Sequence, residues 1–150
     1  MYSAQTTTVV RSGASLNLLA ELALKDIATL PNEGDPAGYC YFVAGLPDIT
    51  AKLRDYNYEE IVYGPESPLE TCERMEADLT TISTSIKNAN WLPIFCPIVP
   101  MSLQDWNNVR GKQHKTTYIL HHNYYPDMQY QLEHATILVN KSITSINSSK

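Results

Sequence analysis

The chain has 150 residues, 43% hydrophobic and 18% charged, with 16 Asp and Glu against 11 Lys and Arg, for a net charge of −5. One globular domain suits that length, and the apolar content excludes a disordered chain. The acidic balance argues against the broad cationic face of a nucleic-acid binder, and no apolar run reaches the 18 residues of a membrane span.

Met1 to Thr8 has neither a basic start nor an apolar segment, so no signal peptide is expected. The chain is read as intracellular, cytoplasmic or nuclear. Cys40, Cys72 and Cys96 are widely spaced, odd in number and set in apolar patterns. They read as small buried hydrophobes in a reducing compartment, not as disulfides or metal ligands.

Thr6 to Arg11 (TTTVVR) is rich in β-branched residues and predicts a first strand. Ser12-Gly13-Ala14-Ser15 turns out of it, and Ser15 can cap the helix that follows. In that helix Leu16, Leu19, Leu22, Ala23, Ile27 and Leu30 recur near helical spacing. Pro31 and the segment to Gly38 end it. Tyr39 to Ala44 (YCYFVA) does not alternate with polar residues, which predicts a strand buried on both faces. Gly45 and Pro47 stop it, leaving Asp48 and Thr50 just past its carboxyl end. Ligands bind at that edge in open α/β sheets.

Residues 51–58 predict at most one helical turn, and Ile61-Val62-Tyr63 a small edge strand. Ser67-Pro68-Leu69-Glu70 is a strong helix start: a capping Ser, Pro at the first helical position, and Glu three after the cap. Cys72, Met75, Leu79, Ile82 and Ile86 then form one buried stripe. Leu92 to Val99 (LPIFCPIV) predicts another strand, with Pro93 and Pro97 at its ends or at a bulge. Ser102 and Asp105 open a short helix through Asn108, followed by a basic loop from Arg110 to Lys115. Tyr118 to Leu120 is strand or connection. The last helix starts near Tyr125-Pro126-Asp127 and keeps a stripe of Met128, Leu132, Ala135, Leu138, Val139, Ser142, Ile143 and Ile146. Tyr124, Tyr125 and Tyr130 read as packing at the sheet edge. His134 reads as a helix-surface residue.

With these blocks placed, the chain resembles the SGNH (GDSL-type) hydrolases, in particular the divergent forms carried by animal mobile elements. Ser12-Gly13-Ala14-Ser15 looks like the family's second block, and Val43 to Thr50 like its third. Phe95 to Pro100 looks like the strand that follows, and Asn140 to Asn147 like the helix before the last strand. The resemblance implies a three-layer, flavodoxin-like sandwich with a short, mostly parallel sheet, truncated at both ends. It implies ligand-facing or oxyanion roles for Gly13, Gly45 and Asp48.

The departures from the family pattern are specific. Pro47 stands where the family has the oxyanion Asn. The Gly-Asp-Ser block that carries the nucleophile is missing, as is the Asp-x-x-His block near the C-terminus. Acyl transfer needs nucleophile, base and oxyanion site together. The expectation is therefore a catalytically inactive, truncated SGNH-like domain that serves binding or assembly, with no cofactor and no metal.

Two alternatives stay open. One is an active serine esterase with a site rebuilt around Gly13, Ser15, Asp48 and a histidine, His121 or His122. The other is an α/β subunit of a larger, viral-type assembly. The apolar face of the last helix suggests a protein partner or a second copy there; no membrane and no nucleic acid are expected.

Overall fold

The computed structural model describes residues 8, 14–50, 67–113 and 125–149. In order the elements are α1 (Leu16–Ile27), β1 (Gly38–Phe42), α2 (Leu46–Thr50), α3 (Pro68–Asn88), β2 (Trp91–Phe95), α4 (Leu103–Gln113) and α5 (Tyr125–Ser148). The predicted strands at 6–11 (Thr8 apart), 61–63 and 118–120 lie outside the described residues, as do Gly13, His121, His122 and the turn at 51–58.

The molecule is α/β. β1 and β2 pair in parallel, with Gly38 opposite Trp91 and Phe42 opposite Phe95. Parallel strands need a long crossover, and α2 and α3 lie within it.

α3 follows the sequence closely. Ser67 Oγ accepts the Glu70 N–H at 3.2 Å, and Glu70 Oε1 accepts the Ser67 N–H at 3.5 Å. Pro68 occupies the first turn, where no intrahelical donor is needed. The stripe Cys72, Met75, Leu79, Ile82 and Ile86 is buried along its whole length. Each such side chain contributes about 1.5–3 kcal/mol of transfer free energy, as an upper bound.

β1 departs from the expectation of a strand buried on both faces. Phe42 is buried and stacks on Phe95, with ring centroids 5.2 Å apart. Tyr39 and Tyr41, on the opposite face, are 57% and 65% exposed. Tyrosine supplies an apolar ring to the pattern but tolerates water at its hydroxyl end, so the run looked more buried than it is.

β2 corrects the placement of Pro93, whereas Pro97 lies past the strand's end. Pro93 sits in mid-strand, in register with Cys40, without a bulge. The Cys96 N–H donates to the Phe42 carbonyl at 2.9 Å, so Cys96 faces β1. Backbone groups alternate sides along a strand, which turns Pro93, Phe95 and Pro97 to the outer edge. A proline there forfeits no ladder bond.

α5 lies along that edge and against α3. Leu132, Ala135, Val139 and Ile143 are buried in the same core as Met75, Leu79 and Phe95. Its apolar stripe is therefore covered by its own domain. Tyr130 stands exposed on this helix, away from the sheet-edge packing expected of it, and His134 is a surface residue beside its ring.

α4 also differs from expectation. Ser102 Oγ accepts the Asp105 N–H at 3.3 Å, as a cap should, but the helix runs on to Gln113. Residues 110–113 of the predicted basic loop are helical. Among the described residues no helix is long and apolar enough to cross a membrane.

Asn90 ties the ends of the two strands together. Its φ of 66° lies in the left-handed region, which Asn tolerates better than most residues. Its side-chain amide donates to Asn32 Oδ1 and to the Gly34 carbonyl, both at 2.9 Å, and its own carbonyl accepts the Ala37 N–H at 2.8 Å. The loop before β1 is thereby held against the turn before β2.

Candidate functional site

The carboxyl end of β1 carries a polar cluster. Gly45 turns the chain there with φ of +111°, and its carbonyl accepts the Ile49 N–H at 3.0 Å to start α2. Asp48 thus lies in the first turn of a short helix, not in an open loop. Pro47 fits the same first turn, where its missing N–H costs nothing.

Asp48 is only 6% exposed. One carboxylate oxygen, Oδ2, accepts the Leu16 N–H at 3.0 Å. Leu16 opens α1, whose first N–H groups have no partner within the helix. Ser15 serves the same end, its Oγ accepting the Leu18 N–H at 3.2 Å. Ser15 and Asp48 therefore share one task. Together they satisfy the N-terminus of α1 and join it to the carboxyl end of β1.

Arg74 on α3 completes the cluster, donating from Nη2 to the Asp48 carbonyl at 2.9 Å. Burial pushes the Asp48 carboxyl above its ordinary range, and the charge of Asp78 adds to that. The Leu16 N–H and the Arg74 guanidinium oppose it.

The remaining sequence candidates distribute as follows. Gly45 is enclosed: a Cβ there would stand 2.7 Å from Ile98 Cδ1 and 3.4 Å from Met75 Cε. Its glycine is required by φ and by this approach. Gly13, His121 and His122 lie outside the described residues. Burial pushes the Cys40 thiol up, away from thiolate chemistry. Cys72 Sγ lies 3.5 Å from Ser142 Oγ, which donates to Glu76 Oε2 at 2.8 Å; this polar chain links α3 to α5. The described residues contain no group of three His, Cys, Asp or Glu placed to hold a metal ion.

Sequence reasoning missed Arg74, which it left unassigned on α3, and missed three amides on α5. Asn140 Oδ1 accepts the Ile98 N–H at 2.7 Å while its Nδ2 donates to the Ile98 carbonyl at 2.9 Å. Asn147 makes the same pair of bonds to Phe95, at 3.0 and 2.8 Å. Gln129 accepts the Leu103 N–H at 2.7 Å and donates to the Met101 carbonyl at 3.0 Å. The available signal was two Asn residues seven apart on one helix, beside a strand interrupted by prolines.

No family model matches the chain, and no curated protein or solved structure matches it.

Proposed function

We propose that this chain is a non-catalytic α/β module of SGNH-like descent, acting by binding or assembly and not by acyl transfer. One observation carries the reading. Ser15 and Asp48, the side chains from which a rebuilt hydrolytic site would be assembled, are both spent on the N-terminus of α1. A nucleophilic serine needs a general base on its hydroxyl proton, and a catalytic carboxylate needs to orient that base. Here the hydroxyl caps a helix, and the buried carboxylate accepts a backbone N–H. The doubly wound, flavodoxin-like arrangement belongs to the same proposal; the parallel β1–β2 pair with its helical crossover is compatible with one unit of it.

The test is hydrolysis of p-nitrophenyl acetate and butyrate by the whole chain beside its Ser15→Ala variant. The expected result is release no faster than buffer for both proteins. Turnover by the wild type that disappears in Ser15→Ala would establish the esterase reading instead.

A further inference from the structure

The outer edge of β2, the side away from β1, bounds the two-stranded sheet of the described residues, and a bare edge of this kind ordinarily invites another strand. Here, from Pro93 to Ile98, every N–H it could offer is missing or taken. Pro93 and Pro97 offer no N–H. Phe95 faces the same way, and both its N–H and its carbonyl are taken by the Asn147 amide. Just past the strand, both backbone groups of Ile98 are taken by Asn140.

The spacing is matched. Residues 140 and 147 stand two helical turns apart, about 10 Å along α5. The three residues of chain from Phe95 to Ile98 span at most about 10 Å, within the same reach. A primary amide presents one acceptor and one donor side by side, the same pair that a neighbouring strand would present. α5 runs antiparallel to β2 and imitates a strand with its side chains.

We propose that α5 is a built-in edge guard, in which Asn140 and Asn147 occupy the backbone groups through which β2 would otherwise pair with a second copy of this chain. Strand addition at this edge is thereby blocked, whatever the polar cluster at the end of β1 does. Assembly, where it occurs, uses another surface.

The experiment compares the full chain with Asn140→Leu, Asn147→Leu and the double variant, by amide hydrogen exchange and by light scattering across a concentration series. Leucine keeps the approximate volume and removes both bonding groups. In Asn147→Leu the Phe95 amide should exchange at least tenfold faster with Ile98 little changed; Asn140→Leu should show the reverse. The double variant should gain mass at least twofold over the wild type as concentration rises. Unchanged exchange at Phe95 and Ile98 in folded variants overturns the pairing, and an unchanged mass in the double variant overturns the guard. If the double variant does not fold, the two single leucine variants carry both readouts, since each frees the N–H and the carbonyl of one residue, Phe95 or Ile98.

Discussion

Asp48 and Leu16 are joined across 32 residues of chain by one buried hydrogen bond of 3.0 Å, from the first N–H of α1 to a carboxylate at the end of β1. A charge-assisted bond to a helix N-terminus is among the stronger polar contacts available, because the helix end carries partial positive charge. It also fixes where α1 begins relative to the sheet.

Removing that carboxylate leaves a buried donor without a partner. Asp48→Ala should therefore cost about 1–3 kcal/mol of stability. Asp48→Asn keeps an oxygen for Leu16 and should cost less than about 1 kcal/mol. Urea unfolding of the three proteins checks the ranking; equal loss in both variants would show that the bond to Leu16 is not what matters.

The same carboxyl sets a pH dependence of known sign. Its value is raised in the folded protein above the ordinary 3.8, first by burial. Between those two values the native state holds more protons than the unfolded state. The contribution of Asp48 to stability is then fully present below the unfolded value and lost as pH rises through the folded one. Asp48→Asn has no such dependence at this position. Its stability relative to wild type should improve from about pH 3 to pH 7, measured by unfolding midpoints at each pH. A relative decline over that interval would mean a lowered value, with the helix end outweighing burial.

Much of the helical part of this fold could be read from residues. The capping Ser67, Pro68 and the three-and-four spacing from Cys72 to Ile86 act locally, so α3 was visible in full. The polar cluster was visible only in outline. Gly45 and Pro47 mark the end of β1 in any sequence, but the bond from Leu16 to Asp48 depends on tertiary docking. α2 was hidden because glycine and proline read as breakers, whereas here one begins a helix and the other fits its first turn. Pro93 was misplaced because the group that completes the edge it faces comes from Asn147, some fifty residues later.

Glycine at 45 should be close to irreplaceable. Gly45→Ala places a Cβ at φ of +111° and 2.7 Å from Ile98 Cδ1. Backbone strain at such a φ costs about 1–3 kcal/mol, and overpacking about as much again. Gly38→Ala tests packing without that strain, since its Cβ would meet the Trp91 ring at 2.5 Å and its φ is not in the left-handed region. Thermal unfolding should rank Gly45→Ala as the more damaging of the two. The opposite order would place the constraint in the Trp91 contact instead.

Loss of the capping box at α3 should be measurable and modest. Ser67→Ala removes the oxygen that accepts the Glu70 N–H and should cost about 1 kcal/mol. Ser67→Asp should restore most of it, as the capping oxygen returns at the positive end of the helix. A chemical-denaturation series of the two variants decides this, and a neutral Ser67→Ala would mean that the first turn is held by packing alone.

The most direct measurement bears on whether Ser15 is a cap or a nucleophile. The full chain is incubated with a fluorophosphonate, which forms a covalent adduct with activated serines, and its intact mass is read with peptide mapping of any product. A hydroxyl committed to the Leu18 N–H, with Asp48 committed to Leu16, gives an unchanged mass over hours. A stoichiometric adduct mapped to Ser15 would contradict the account, because only a serine with a working base beside it reacts in that way.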